Sequence, residues 1–362
     1  MHHFQSKHVP ALDGLRGLAI IAVIVHHQLI PFSLEGGFLG VDLFFVLSGF
    51  LITNLLMAEF GETNVISFRN FYMRRVLRLG PALILYLIAC LVVTYHTQVG
   101  YVIRELKLIG LALAYSTNWR MALGWDSSLD PTAIIWSLSI EEQFYLFWPI
   151  LFFICLAAKL RRRFIIGGLC LIILSIMAHR YLLLREGASL TRLYYGTDTR
   201  ADALLMGCLI ALLPKGKLAI SMKTWANAAA ILSAGILIYL ISTSHFSDQF
   251  LYKGGYTGIA LMSGLLTWSA ANAPPSLLAT LLELQPLRWF GKISYGLYLW
   301  HWLVLKSTTF YFLGYWDSWA RFALAVGIAA LSFYLIEKPF NRLKVRFQRK
   351  PVAPSVVPLA PG

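Results

Sequence analysis

Acidic residues are scarce in this chain. Its 362 residues carry 17 Asp and Glu against 31 Lys and Arg, and charged side chains of both signs make up only 13%. Soluble globular proteins carry about 25%, so a water-soluble fold is excluded at the outset. Cysteine is also rare. Cys90, Cys155, Cys170 and Cys208 all fall inside apolar runs, and none is spaced as CxxC. That argues against a disulfide scaffold or a thiolate metal centre and for small core side chains; no metal is expected. There is no GxSxG elbow of a serine hydrolase, no internal repeat and no separate soluble domain. The first apolar run lacks a small-residue cleavage site, so a cleaved signal peptide is not expected.

What is abundant is apolar length. Hydrophobic residues make up 58% of the chain, with 11 Trp and 17 Tyr to serve as interfacial belts. Apolar runs fall near 12–30, 38–59, 80–97, 137–158, 164–184, 200–213, 224–244, 255–271, 293–313 and 319–337. The fold class this predicts is all-α, a polytopic integral membrane bundle of about ten transmembrane helices. A further piece, 101–117, is broken by Arg104, Glu105 and Lys107. If it does not span, the basic loops at 159–163, 214–223 and 287–292 and the tail from 337 all share one side with the Arg-rich loop before the third span. The positive-inside rule makes that side the cytoplasm. Both termini are then cytoplasmic and 101–117 is interfacial or re-entrant. The expected division is a transmembrane domain over 1–340 and a tail over 341–362, first basic, then Pro-rich. The net charge of +14 is spent on topology and anionic headgroups, not on nucleic acid.

Ionisable residues inside such helices are costly and lean towards function. In "ALDGLRGLAIIAVIVHH" (11–27), Arg16 and His27 are eleven residues apart, about 20° from three full turns and roughly 16 Å along the axis. They share a face, His26 lies about 80° off it, and Asp13 can neutralise Arg16. Arg74, Arg75 and Arg78 in "FYMRRVLRLGP" can converge on one anion, since guanidinium forks match phosphate oxygens; a plain topology signal is the alternative. "WSLSIEEQFY" (136–145) carries Glu141 and Glu142 at an outer helix end, fit to orient a histidine or simply to cap the helix. "SYGLYLWHWLV" (294–304) adds a second intramembrane histidine, His301. Asp198, Arg200 and Asp202 in "DTRADALLMG" either pair among themselves or touch a polar acceptor. "GVDLFFVLSGFLIT" (40–53) combines Asp42 with Ser48-Gly49, where small residues admit close approach.

Read together in chain order, the six motifs resemble the membrane-bound acyltransferase-3 family from about residue 10 to residue 340. The extra C-terminal SGNH-type domain that some members carry is not expected in this chain. The resemblance implies an O-acyltransferase that moves an acyl group, usually acetyl, from cytoplasmic acyl-CoA to a hydroxyl of a carbohydrate or glycosylated acceptor. The Arg-x10-His pair matches Arg16 and His27, and the Arg-x-x-Arg motif associated with CoA matches Arg75 and Arg78. The motif glutamate matches Glu141 or Glu142, with Glu142 favoured. The catalytic set expected is His27, Glu142, Arg16, Asp13 and His301. Donor binding falls to Arg74, Arg75, Arg78, Arg16 and Ser48, and acceptor binding to Asp198, Arg200, Asp202, Trp136 and Tyr145. Acetyl-CoA or another acyl-CoA is the expected donor and glycan-assembly proteins are possible partners, in the inner (cytoplasmic) membrane. His27 serves as general base or forms a transient acyl-imidazole. A transporter lined by intramembrane charges is the competing class. The acceptor and the length of the acyl group stay open.

Overall fold

The computed structural model describes residues 8–28, 34–97, 99–125, 130–214, 220–272, 277–307 and 311–347. Among them no strand occurs. The chain runs through α1 (Pro10–Gln28), α2 (Gly40–Thr63), α3 (Phe68–Thr97), α4 (Val102–Leu113), α5 (Thr117–Ala122), α6 (Trp136–Ala157), α7 (Arg162–Arg185) and α8 (Leu190–Tyr195). It continues with α9 (Thr197–Ala211), α10 (Ile220–Thr243), α11 (Tyr256–Asn272), α12 (Leu277–Leu282), α13 (Gln285–Ser307), α14 (Asp317–Ser332) and α15 (Lys338–Leu343). This is the all-α polytopic membrane protein that the composition predicts.

Seven helical stretches among the described residues are long and apolar enough to cross a membrane: α1, α2, α3, α6, α7, α10 and the run from α14 through α15. The other three expected spans are α9 with 15 residues, α11 with 17, and α13, which carries Arg288, Lys292 and Lys306. Large apolar side chains such as Ile84, Leu151, Leu171, Leu232 and Leu335 point outward, as a lipid-facing wall requires. The α4 helix has 12 residues, about 18 Å, too short to cross. The expected Pro-rich tail, 351–362, lies outside the described residues, as do the first seven.

Two helix bounds differ from the apolar runs in a way that matters. The α3 helix begins at Phe68 instead of 80 and continues through Pro81, so the arginines of 74–78 sit on a helix and not in a loop. The helical pattern continues into the polar interface because long arginine side chains cover apolar surface while keeping their heads in polar surroundings. The α13 helix likewise starts at Gln285, which brings Lys292 onto the same rod as His301.

The core is set by two close helix pairs, α1 against α13 and α2 against α9. In a membrane, helices associate through small residues that let backbones meet. A Cβ on Gly207 of α9 would lie 2.1 Å from the Val46 carbonyl oxygen of α2, and one on Gly291 of α13 would lie 1.9 Å from the Asp13 carbonyl oxygen of α1. Gly207→Val is therefore expected to cost at least about 1–3 kcal/mol through overpacking. Thermal unfolding of the detergent-solubilised protein checks this, and an unchanged midpoint would contradict the packing.

Candidate functional site

Helices α1, α2, α3, α6 and α13 line a cavity that opens to the outside. Arg16 from α1 and Arg75 and Arg78 from α3 line one part of it, with Glu141 and Tyr145 from α6 and Ser48 from α2. The serine hydroxyl donates to Glu141 Oε1 at 2.7 Å, and Tyr145 donates to the serine at 2.9 Å. The Arg75 guanidinium stacks 4.2 Å above the Tyr145 ring. Among the described residues Arg75 and Arg78 form no ion pair, and Arg16 has only Asp13, at 4.0 Å. Three guanidiniums thus share one lining carboxylate, which leaves the cavity set for an anion.

Arg16, Arg78, Ser294 and Tyr295 also line a second, open space, together with Asp13, Lys292, Glu337 and Lys344. This mouth adjoins the cavity at the end of the bundle where α1 starts. Asp13 is turned here, accepting from His8 Nε2 at 2.7 Å.

At its other end the cavity meets Ser137 and Tyr298, whose hydroxyls are 2.6 Å apart. Just beyond lies the histidine pair. The rings of Tyr298 and His301 are 5.9 Å apart, and His301 Nε2 lies 3.1 Å from His27 Nδ1. His27 itself is not on the cavity wall. His301 is fully buried, and its Nδ1 faces the Leu297 carbonyl oxygen at 3.0 Å. A carbonyl only accepts, so His301 Nδ1 carries the proton and its Nε2 is an acceptor. In the neutral pair His27 Nδ1 must then donate, which leaves His27 Nε2 with a free lone pair. In that tautomer His27 Nε2 is free to accept a proton while His301 occupies the other ring nitrogen.

The remaining expected residues fall elsewhere. Glu142 is off the cavity wall with a buried Oε1 that has no hydrogen-bond partner among the described residues, so Glu141 occupies the position expected of Glu142. The two are neighbours on one helix and differ by about 100° in direction. Arg74 points away to Glu59, 3.2 Å distant, and donates to the Phe347 carbonyl. Trp136 packs into an aromatic cluster with Phe45, Tyr194 and Tyr195. The pocket residues missed by the sequence reading, Ser294 and Tyr298, lie at i−7 and i−3 from His301, a helical stripe that could have been read.

Asp198, Arg200 and Asp202 do not line the cavity and do not pair with one another. Asp198 takes Arg192 and His179, Arg200 lies 3.0 Å from Asp42, and Asp202 lies 3.0 Å from the wholly buried Arg180. These pairs tie α9 to α7, α8 and α2. Removing one partner of a buried pair leaves an uncompensated charge. Arg200→Met is expected to destabilise by about 3–5 kcal/mol, and adding Asp42→Asn to recover most of it. Melting midpoints of the wild type and the two variants check this; equal midpoints for the single and double variants would contradict it.

The family described as acyltransferase domain matches residues 9–338. The chain is 36% identical to the peptidoglycan O-acetyltransferase OatA of Listeria monocytogenes over 94% of its own length and 57% of that protein's. It is 34% identical to the putative peptidoglycan O-acetyltransferase YrhL of Bacillus subtilis over 94% and 56%. It thus spans a little over half the length of the curated relatives it matches. No solved structure matches it. The family match covers every helix that builds the cavity and the histidine pair, and the chain belongs to the membrane-bound acyltransferase-3 family.

Proposed function

We propose that this chain is an integral membrane O-acetyltransferase that takes an acetyl group from cytoplasmic acetyl-CoA and delivers it to a hydroxyl of a cell-surface glycan. The observation that carries this reading is the sequence of spaces along one axis: a basic mouth, an arginine-lined cavity, and a histidine pair at its far end. The lining fits a CoA thioester. Arg16, Arg75, Arg78, Lys292 and Lys344 supply cations for its phosphates, and Val41, Phe44 and Leu51 supply an apolar wall for its arm. The names of the relatives support a glycan hydroxyl as acceptor and acetyl as the group moved.

In this reading His27 Nε2 removes the hydroxyl proton as the oxygen attacks the thioester carbonyl. An ester C–O bond forms, the C–S bond breaks, and His27 returns the proton to the departing sulfur. His301 holds the imidazole in the productive tautomer. Separation of the Ser137–Tyr298 pair would join the cavity to His27. Glu141 keeps Ser48 and Tyr145 in place beside Arg75.

Two experiments test the reading. Mass spectrometry of surface glycans from cells with and without the gene should differ by acetyl groups; identical spectra would count against it. The pair geometry adds a finer expectation. His301→Gln, which can keep an acceptor oxygen towards His27 Nδ1, should retain at least about tenfold more transfer activity than His301→Ala, within the general-base range of 10²–10⁴. Equal losses would remove the orienting role.

A further inference from the structure

The bundle holds another open cavity, lined by Thr97, Tyr101, Arg104, Glu105, Asp130 and Lys306 among others. It lies at the end opposite Arg16, Arg75 and Arg78. On α3, Thr97 is nineteen residues beyond Arg78, about 28 Å along the axis, close to the roughly 30 Å of a hydrocarbon core.

One feature of its wall is costly as it stands. Glu105 is only 4% exposed, and its Oε1 has no hydrogen-bond partner among the described residues. A buried carboxylate oxygen without a donor is expensive unless a ligand supplies one. Around it are the hydroxyls of Thr94 and Thr97, the exposed ring of Tyr101, and the carboxylate of Asp130, which Arg120 holds at 2.7 Å. Hydroxyl-bearing walls, the Glu105 carboxylate to accept from vicinal hydroxyls and an aromatic ring for a C–H face together suit a sugar ring, while Asp130 is held by Arg120 and Thr132.

The pocket is also one side chain away from the base. The Trp302 indole N–H donates to the Asp130 carbonyl at 2.9 Å, Lys306 Nζ lies 4.7 Å from the Trp302 ring, and that ring is 5.1 Å from the His27 ring. We propose that this outer pocket binds the glycan acceptor through a sugar ring, with Glu105 accepting hydrogen bonds from its ring hydroxyls and Trp302 separating it from His27. The proposal rests on the acetyltransferase reading above. It moves acceptor recognition away from Asp198, Arg200 and Asp202, whose charges are met within the protein.

The test uses the full chain in nanodiscs, with calorimetric titration of two probes: disaccharides released from peptidoglycan by a muramidase, and acetyl-CoA. The wild-type chain is expected to bind both. Glu105→Leu should weaken disaccharide binding at least about tenfold, the effect of one charge-assisted hydrogen bond. It should leave the acetyl-CoA Kd within about twofold of wild type and the melting midpoint unchanged or higher, because an unsatisfied buried group has gone. A merely structural glutamate would lower the midpoint. Disaccharide binding that is absent from the wild type, or equal in the variant, overturns the proposal. If Glu105→Leu fails to fold, Thr97→Val with Lys306→Met decides: tenfold weaker binding supports the pocket, unchanged binding overturns it. Arg75→Ala with Arg78→Ala separates the two readings, since it should lose acetyl-CoA and keep the disaccharide; retained acetyl-CoA binding there defeats the donor reading alone.

Discussion

Replacing His27 with alanine is expected to lower acetyl transfer by about 10²–10⁴-fold, the range that general-base catalysis contributes, while the acetyl-CoA Kd changes by no more than about twofold. The split follows from position. His27 stands past the Ser137–Tyr298 pair, off the wall of the arginine-lined cavity, so its loss is expected to remove proton transfer and not binding. Steady-state CoA release with a glycan acceptor, paired with a binding titration, measures both quantities. A parallel loss of binding would place the imidazole in the donor site. Label from radioactive acetyl-CoA retained on wild-type protein under rapid quench, but absent from His27→Ala, would replace the general-base role by an acyl-imidazole intermediate.

The second large effect is expected at the arginines. Arg75→Ala and Arg78→Ala should each weaken acetyl-CoA binding by about 10- to 100-fold, corresponding to the 1.5–3 kcal/mol of a hydrogen bond between charged groups. Arg75→Lys should recover only part, because lysine keeps the charge but not the planar fork and stacks less well on Tyr145, now 4.2 Å from the guanidinium. Arg74→Ala provides the contrast: its partners are Glu59 and the Phe347 carbonyl, and acetyl-CoA binding should change by less than about twofold. If all three variants weakened binding equally, the cluster would act as a diffuse field and not as a built site.

Much of this site is readable in the sequence because its parts are spaced along single helices. The eleven-residue interval from Arg16 to His27 fixes both on one helix, and the arginine triplet announces its own cluster. What the sequence hides is pairing at long range. Asp42 and Arg200 are 158 residues apart, so local pattern suggests that Arg200 pairs with Asp198 or Asp202 instead. The choice between Glu141 and Glu142 is hidden for a different reason. Adjacent helix positions point about 100° apart, and only the packing of α6 against α2 decides which one meets Ser48. Glu105 looked like an interruption in an apolar run. Its burial without a partner is visible only once α3, α4 and α13 are assembled around it.

The central claim is that an acetyl group enters at the arginine mouth and leaves on the far side of the same bundle. Sealed proteoliposomes with radiolabelled acetyl-CoA outside and peptidoglycan disaccharides trapped inside test it directly. The account predicts label on the trapped disaccharide from molecules whose arginine mouth faces outward, and none with His27→Ala. Label that forms only when donor and disaccharide share a compartment would contradict it.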